Sequence, residues 1–427
     1  MKILVVGGGG REHAIVWKLA QSEKAEKIYC APGNAGIAEI AECVPIAATD
    51  IVKLADFAEQ EKIDLTVIGM DDPLMMGVVD EFEKRSLRVF GPRQNAAIIE
   101  GSKVFSKQLM KKYGIPTAGY WEFEDADKAK DFLKEHKTYP IVLKADGLAL
   151  GKGVLICQNE QEALAGVDEI MVDRKFGGAG AKMVIEEFLV GDEVSVLSFC
   201  DGKTVKTMVP AQDHKRAFDH DQGLNTGGMG TFSPSVHYTE AYRQDAIEHI
   251  FQKTVDAMRA EGREFKGVLY FGLMLTKDGA KVLEYNARFG DPETQVIMPR
   301  LDTDLVDIFE ACIDGTLDQL EIRWKDNAAV CVVLASGGYP VSYAKGYPIS
   351  GLEKFKNRDD LIVFHAGTKL NEKGEVVTNG GRVLGLVAVE KTLSEAIETA
   401  YAHIDEIQFK DAFCRHDIGR KPSVFDK

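Results

Sequence analysis

The chain has 427 residues, of which 45% are hydrophobic, and this length predicts roughly two to four domains with sizeable cores. The formal net charge of −15 disfavours a nucleic-acid binder, because contacts to phosphates need a concentrated basic surface. The seven cysteines are scattered without a Cys-x-x-Cys pair, which disfavours zinc sites and disulfide frameworks. The first apolar run is too short for a signal sequence or a membrane span, so we predict a cytoplasmic protein without membrane contact.

The first hundred residues alternate between short apolar runs and helical patterns. The apolar runs at residues 2–6, 28–30, 65–68 and 87–90 predict four strands. Strands that alternate with helices predict a doubly wound parallel sheet. We place the end of this first domain at residue 102.

Three further units of strands and helices follow, and the predicted fold class is therefore α/β with several domains. The second unit covers residues 103–190 and begins with a helix that Gly114 ends. The third unit covers residues 191–325, and a smaller α/β unit covers residues 326–427. Strands in these units are predicted at residues 140–144, 154–157, 183–189, 195–199, 267–275, 281–286, 328–335 and 382–389, with a helix from Leu393.

The run Lys281–Glu293 combines two kinds of ligand on one predicted strand. Glu284 and Asn286 are two residues apart and therefore point to the same side, where Arg288 follows them. A carboxylate and an amide oxygen are ligands that suit Mg²⁺, and an arginine suits a phosphate oxygen. The pattern predicts a metal site beside an anion site. A polar, solvated face of an edge strand explains the same pattern.

A glycine run, Gly7–Gly10, joins the first strand to a helix. Such a turn lets backbone N–H groups and the helix N-terminus meet a phosphate. A nicotinamide-cofactor fold would have a third glycine where Glu12 stands, and an acidic residue at the end of the second strand, where the chain reads Cys30–Asn34. The phosphate of a smaller ligand is favoured over a dinucleotide, and a turn without a ligand is the alternative.

Three other segments have residue types that suit nucleotide or acid chemistry. Residues 144–153 place lysines in a glycine-rich turn that could close over phosphates, or could be a solvated hairpin. Residues 186–193 end an apolar strand in acidic residues that could hold an adenine and a ribose. Residues 212–230 form a glycine-rich loop with charges of both signs, and such loops often bind ligands. His13 and His214 are assigned no catalytic role.

In this order the segments resemble the ATP-grasp ligases, and within them the family of phosphoribosylamine–glycine ligases. The resemblance runs over nearly the whole chain. It rests on six motifs: Gly7-Gly-Gly-Gly-Arg-Glu-His-Ala14, Gly101-Ser-Lys103, Lys144-Ala-Asp-Gly147, Gln212-Asp-His-Lys-Arg216, Asn225-Thr-Gly-Gly-Met-Gly230 and Asn286-Ala-Arg-Phe-Gly-Asp-Pro-Glu-Thr294. Leu224 stands where the family pattern has proline, which affects the stiffness of the loop but removes no ligand.

The resemblance implies an N-terminal domain that binds phosphoribosylamine (1–102), a linking helix with an ATP-grasp lid (103–190), a central metal domain (191–325) and a C-terminal domain (326–427). The residues implied to bind ATP are Lys103, Lys144, Gly147, Gly151, Lys152, Gly153, Glu186, Glu187, Leu189, Val190 and Glu193. Those implied to bind the other substrates are Gly9, Gly10, Arg11, Asn34, Gly36, Asp213, Lys215, Asn225, Gly227 and Asp291. Glu284 and Asn286 would bind Mg²⁺ or Mn²⁺, and the implied catalytic residues are Arg288, Lys215 and Asp213.

The implied reaction joins glycine to 5-phosphoribosylamine with ATP, through glycyl phosphate, and gives glycinamide ribonucleotide, ADP and phosphate. We expect a monomer that has transient contact with the preceding enzyme of the pathway, since phosphoribosylamine is short-lived. Three alternatives remain open: another ATP-grasp ligase or carboxylase of purine synthesis, a nucleotide-binding regulator without catalysis, and a dinucleotide oxidoreductase.

Overall fold

The computed structural model describes residues 1–148, 153–420 and 423–426. Two predicted ATP-binding residues of the lid turn, Gly151 and Lys152, lie outside the described residues.

The first hundred residues form a five-stranded parallel sheet with helices on its faces, and the predicted doubly wound domain is confirmed. The strand order is β3-β2-β1-β4-β5. The predicted strands are present, and β3, only two residues long, was missed. The elements are β1 (Lys2–Gly7), α1 (Gly10–Leu19), β2 (Lys27–Pro32), β3 (Glu42–Cys43), α2 (Ile51–Glu61), β4 (Leu65–Ile68), α3 (Asp71–Met75), α4 (Val78–Lys84), β5 (Val89–Phe90) and α5 (Gln94–Gly101).

A linking helix and a four-stranded antiparallel sheet follow, in the strand order β6-β9-β7-β8. The helix begins at Ser102, whose hydroxyl accepts a hydrogen bond from the N–H of Phe105, and ends at Gly114, which has a φ of 62°. The elements are α6 (Lys103–Tyr113), β6 (Tyr120–Phe123), α7 (Ala126–Glu135), β7 (Ile141–Ala145), β8 (Val154–Cys157), α8 (Glu160–Val167) and β9 (Met183–Glu187).

The central unit contains a second antiparallel sheet, in the strand order β11-β10-β16-β17. Its two long inner strands are lined by apolar side chains that are almost entirely buried. The elements are β10 (Asp192–Asp201), β11 (Val205–Thr207), β12 (Gln212–Asp213), β13 (Arg216–Phe218), β14 (Gln222–Asn225), β15 (Gly230–Ser233), α9 (Glu240–Ala246), α10 (Gln252–Ala260), β16 (Lys266–Thr276), β17 (Gly279–Asn286), α11 (Glu293–Ile297) and α12 (Leu305–Asp314).

The C-terminal sheet includes two strands from the central unit. Its order is β12-β15-β18-β22-β19. Strands β12 and β15, which flank the charged loop, therefore both belong to this sheet. The division of the chain near residue 325 stays a prediction. The remaining elements are β18 (Ala328–Ala335), β19 (Leu361–His365), β20 (Thr368–Leu370), β21 (Val376–Thr378), β22 (Arg382–Glu390) and α13 (Leu393–His403).

Strand β1 connects two of the apolar cores of the molecule. Because successive side chains of a strand point to opposite faces, Leu4 and Val6 pack in a core shared with the central sheet, whereas Ile3 and Val5 pack in a second core that reaches the C-terminal sheet. These four side chains are fully buried. Within the described ranges, the helices are too short or too polar to cross a membrane.

Two buried histidines connect the first domain to the C-terminal sheet. The Nδ1 of His13 accepts a hydrogen bond of 2.8 Å from the backbone N–H of His365, so that nitrogen carries no proton. Burial, with a smaller contribution from His365, lowers the pKa of His13 to about 3. Burial lowers the pKa of His365 to about 4. Protonation of His13 would therefore break a contact between two parts of the molecule.

Acid should destabilise the fold through His13. In the unfolded chain His13 binds a proton below its usual pKa of about 6.5, whereas in the folded chain it binds one only below about pH 3. The free energy of unfolding therefore decreases as the pH falls from about 6.5 to about 3. At pH 5 the expected loss is about 2 kcal/mol relative to pH 7. His13→Gln keeps a hydrogen-bond acceptor without this titration and should lose less stability between pH 7 and pH 5, measured by urea unfolding.

Ile15→Val, in the same helix, is the matched control. It removes a buried methylene without a titrating group, so its cost, about 1 kcal/mol, should be equal at both pH values. An equal acid loss in His13→Gln and in the unsubstituted chain would contradict the assignment.

Candidate active site

A bulge in β17 sets the direction of the predicted metal ligands. Gly272 pairs with Glu284, but the next residue, Leu273, pairs with Val282, so Leu283 is the extra residue. Val282 and Tyr285 are consequently both buried in the core. Glu284 and Asn286 flank Tyr285 in the sequence, and both therefore face away from that core, on the same side, as the sequence predicts.

Lys215 connects Glu284 to a second carboxylate across the cleft. Its Nζ lies 3.2 Å from Glu193 Oε2 and 3.5 Å from Glu284 Oε1. Glu193 raises the pKa of Lys215 against the effect of burial, and Glu284 adds to this. Lys215 in turn lowers the pKa of Glu284 to about 2 against burial, with smaller contributions from nearby cations. Glu284 is therefore ionised at neutral pH. Beside this pair lies the cleft, which Asp213 and Tyr270 also line.

The donors at β17 fit a divalent cation that a ligand also coordinates. The ammonium of Lys215 shows that a positive charge is accommodated at Glu284. In the described part of the chain, His, Cys, Asp and Glu side chains form no group of three or more that could hold a metal ion. Two protein oxygens are nevertheless sufficient where phosphate oxygens complete the shell, which is the usual arrangement for Mg²⁺.

Lys144, one of the predicted ATP-binding lysines, contacts the same strand from the lid sheet. Lys144 Nζ lies 3.0 Å from Glu186 Oε1 and donates to the carbonyl of the bulged Leu283 at 3.1 Å. Glu186 also forms an ion pair with Lys107, whose Nζ lies 2.9 Å from Glu186 Oε2. Glu186 is 2% exposed. Both oxygens of Glu186 thus face lysines within the protein, and its predicted contact with ATP stays a prediction.

The turn that follows β7 is attached to the start of the linking helix. Lys103 Nζ donates to the carbonyl of Gly147 at 2.9 Å, and Asp146 accepts bonds of 3.1 Å from the hydroxyl of Ser102 and the N–H of Val104. Burial lowers the pKa of Lys103, and Glu284 opposes that shift. At the other end of the turn, the carbonyl of Gly153 accepts a hydrogen bond from the N–H of Ala145.

The predicted adenine segment lies between the two antiparallel sheets. Strand β9 ends at Glu187, earlier than the predicted residue 189, and Glu187 accepts a hydrogen bond from the N–H of Gly119. Val190 is 62% exposed, and Leu189 is half-buried. The segment offers exposed apolar surface close to Glu193, as binding of a planar ring requires.

Glu12 organises the glycine turn, which explains why no third glycine stands there. Its carboxylate accepts the N–H of Gly9 at 2.7 Å and the Nε of Arg11 at 2.5 Å. A side chain at Gly7, where φ is +132°, would overlap Glu12. Arg11 also donates to the carbonyl of Phe289 at 3.1 Å. The start of α1, at Gly10, is therefore held against the segment that follows β17.

Asn34 and Gly36 shape a turn beside the glycine run. The Asn34 side chain donates to the carbonyls of Gly8 and His365 and accepts the N–H groups of Gly36 and Ile37. Its polar atoms are thus used within the protein. A Cβ on Gly36 would lie 2.4 Å from the ring of His365. The structure gives these two residues a role in forming the pocket wall.

Arg382, from the C-terminal sheet, joins two predicted substrate segments. It donates to the carbonyls of Gly227 at 2.8 Å and Asp291 at 2.9 Å, and its Nη2 lies 3.3 Å from Asp291 Oδ2. Burial would raise the pKa of Asp291, but Arg382 and Arg11 outweigh it, and the pKa is lowered. The Asp291 carboxylate would lie 3.5 Å from a Cβ on Gly9. Three distant segments meet here.

The charged loop has one half-buried acid, Asp213, with a raised pKa, and one hairpin. Burial and Glu293 raise the pKa of Asp213 well above its usual value, against Lys215 and Arg382. Asn225 pairs with Arg216 in the β13–β14 hairpin. The loop therefore presents Asp213 and Lys215 to the cleft, whereas Asn225 lies in the hairpin next to them.

Arg288 is held by the first domain. Its Nη2 lies 3.0 Å from Glu100 Oε1 and 3.9 Å from Asp71, while Glu100 Oε2 accepts the N–H of Ala287 at 2.7 Å. Burial would lower the pKa of Arg288, but these carboxylates raise it. Among the described atoms its Nε has no hydrogen-bond partner.

Models of three protein domains match most of the chain. They are the N domain of phosphoribosylglycinamide synthetase at residues 1–100, its ATP-grasp (A) domain at residues 101–294 and its C domain at residues 329–421. The chain belongs to the phosphoribosylglycinamide synthetase family. The family resemblance predicted from the six motifs is thereby confirmed.

Relatives of this synthetase family match along their full length. Phosphoribosylamine–glycine ligases of Halalkalibacterium halodurans and Caldanaerobacter subterraneus are each 52% identical; the alignments cover 99% and 98% of this chain and 97% and 99% of the relatives. The crystal structure of phosphoribosylamine–glycine ligase from Thermotoga maritima is 33% identical, with a TM-score of 0.85 over 98% of this chain and all of that one. The predicted ATP-grasp architecture is confirmed.

Four residues that shape this synthetase site were missed from the sequence. Lys107 had a signal, because it lies one helical turn after Lys103 and so shares its face. Glu293 lies in the motif Asn286–Thr294 but was given no role, and Glu100 and Arg382 had no signal. Glu293 accepts the hydroxyl of Ser195 deep behind the cleft, and the partners of Glu100 and Arg382 are far away in the sequence.

Gly36→Ala should destabilise the turn beside the glycine run. The backbone of Gly36 is helical, with a φ of −78°, so the cost is the overlap of Cβ with the rings of His365 and His13, about 1–3 kcal/mol. We expect a lower midpoint of thermal unfolding and a higher KM for phosphoribosylamine, with the KM for ATP unchanged. Gly178→Ala, whose Cβ would meet nothing within 4 Å, should behave like the unsubstituted chain. Equal midpoints for the two variants would contradict this.

Proposed function

We propose how the residues of the cleft carry out the reaction of the family. The chain is an ATP-dependent ligase of purine biosynthesis that joins glycine to 5-phosphoribosylamine and releases ADP. The observation that carries the proposal is the position of Glu284, ionised and surrounded by cations, on the strand edge between the lid and the charged loop. The proposed intermediate is glycyl phosphate, because a carboxylate is a poor electrophile until it is phosphorylated.

We assign the nucleotide to the space between the lid sheet and the central sheet. Lys103 and Lys144 bind phosphate oxygens. The exposed backbone after Glu187 meets the adenine, and Glu193 meets the ribose. These assignments are supported by the convergence of the lysines on Glu284 and by the exposed apolar segment around Val190.

Phosphoryl transfer mainly needs positioning and charge neutralisation. Glu284 and Asn286 would hold Mg²⁺ or Mn²⁺, which neutralises phosphate charge when bound. Arg288, fixed by Glu100, steadies the transferring group with its guanidinium. Lys215, whose Nζ lies 3.5 Å from Glu284 Oε1, binds the carboxylate of glycine. The lid excludes water, which would hydrolyse an acyl phosphate.

We assign phosphoribosylamine to the junction of the glycine turn, Asp291 and the charged loop. The N–H groups at the start of α1 bind its phosphate, with Arg11 beside them. Asp291 and Asp213 place the amine, and the loop around Gly227, held by Arg382, forms the opposite wall. A cytoplasmic location, the monomeric state and contact with the preceding enzyme stay predictions.

The reaction is tested by ADP release in the presence of glycine, ATP and freshly made phosphoribosylamine. Leaving out any one substrate should reduce ADP release to background. Substitution of glycine by bicarbonate, the acid expected of a carboxylase, should also give background. Release of ADP that does not depend on glycine would overturn the proposed function.

Loss of either metal ligand should strongly reduce turnover without unfolding the protein. Glu284→Ala and Asn286→Ala should each cost about 3 kcal/mol of transition-state stabilisation, which is roughly a hundredfold in kcat. Lys281→Ala, on the same strand, is the control and should keep its activity. The measurement is kcat at saturating substrates, with circular dichroism to check the fold. Near-normal turnover of Glu284→Ala would refute the metal assignment.

A further inference from the structure

A buried carboxylate serves two lysines at the edge of the nucleotide cleft. Glu186, at the end of β9, lies 2.9 Å from Lys107 and 3.0 Å from Lys144, one lysine for each oxygen. The side chains of these three residues are at most 8% exposed. Two ammonium groups for one carboxylate leave an excess positive charge out of water, which is costly until an anion binds.

The two lysines differ in their other contacts. Lys107 donates to the hydroxyl of Thr117 at 2.8 Å, and that hydroxyl donates to the carbonyl of Val282 at 2.7 Å. Lys107 is therefore fixed in place, and at 2% exposed it has no path to a ligand. Lys144 pairs with one oxygen of Glu186 and donates to the backbone carbonyl of Leu283, the residue before the predicted metal ligand Glu284.

We propose that Lys107 is a positioning residue for nucleotide binding, which holds one oxygen of Glu186 so that Lys144 can leave the other oxygen for a phosphate. This rests on the role proposed for Lys144. Without Lys107, both oxygens of Glu186 turn to Lys144 and form a neutral buried pair. The pair opposes movement of Lys144 toward the nucleotide, and affinity for the nucleotide falls.

The physical reason is the strength of a buried ion pair. Opposite charges a few ångströms apart attract far more strongly away from water than in it. A carboxylate that is divided between two ammonium groups holds each with one oxygen. A carboxylate with one ammonium partner contacts that ammonium with both oxygens. The ammonium then leaves only for an anion that binds it more strongly. Lys107 thus weakens the resting contact of Lys144.

The test is Lys107→Met, which removes the ammonium and keeps most of the side-chain volume. We expect the Kd for ADP with Mg²⁺, measured by calorimetry, to rise about tenfold, which corresponds to about 1.4 kcal/mol. The KM for ATP should rise to a similar extent, with kcat at saturating ATP within about twofold. Lys112→Met is the matched control: Lys112 lies on the same helix, exposed and paired with Glu261, and should bind ADP normally.

A second substitution separates positioning from a general structural effect. In a Glu186→Gln background there is no carboxylate to divide, so adding Lys107→Met should leave the Kd for ADP unchanged. A tenfold loss in both backgrounds would overturn the proposal, as would an unchanged Kd in the single variant. ADP binding needs neither glycine nor phosphoribosylamine, so these outcomes do not depend on the ligase reaction.

A milder variant keeps the proposal testable if Lys107→Met does not fold. Thr117→Val removes the hydroxyl that fixes Lys107 but keeps both lysines. It should raise the Kd for ADP about threefold, and this effect should disappear in the Glu186→Gln background. A Kd equal to that of the unsubstituted chain would count against the proposal.

Discussion

The negative charge of Glu284 is the constraint around which the cleft is built. Four cations from different segments act on it: Lys215 from the charged loop, Lys144 from the lid, Lys103 from the linking helix and Arg288 from the turn after the strand. Each cation is attracted to β17, but the cations repel one another. Glu193, Glu186 and Glu100 pair with Lys215, Lys144 and Arg288, and the repulsion that remains is offset when the ionised carboxylate of Glu284 faces these cations. The bulge at Leu283 turns the Glu284 carboxylate toward these cations, because it allows both Val282 and Tyr285 to be buried in the core.

Two arginines then join segments that are far apart in the chain. Arg382 fixes the charged loop to the turn after β17, and Arg415, 1% exposed, fixes the other end of that loop through the carbonyl of Arg216 and the carboxylates of Asp221 and Asp417. A guanidinium suits this task because its donors lie in a rigid plane and can serve several acceptors at once. The loop is thus held by the C-terminal unit, although it contributes its own residues to the cleft.

The sequence predicted the sheet of the first domain, three of the four lid strands and the direction of Glu284 and Asn286, because local patterns determine them. It missed β6. Alternation, apolar runs and glycine at helix ends are read from neighbouring residues. The bulge was not predicted: Leu283 and Tyr285 are both apolar, and only the core shows which one is buried. Nor could the pairing of Arg382 with Asp291 be predicted, since 91 residues separate them and nothing near Arg382 marks it. The same is true of the strands at residues 212–213 and 230–233, whose partners lie in the last unit.

The shared sheet has a consequence for dissecting the molecule. Strand β15 pairs with β18 from Gly230 to Ser233, so a fragment that stops before residue 328 would lose the neighbour of that strand and expose its backbone groups. The nucleotide-binding half is thus not a self-sufficient module. A chimera that joins this half to a different C-terminal domain would need a sheet edge in the same register as β18. Without that edge, the charged loop would lose the strand pairing that holds its second end.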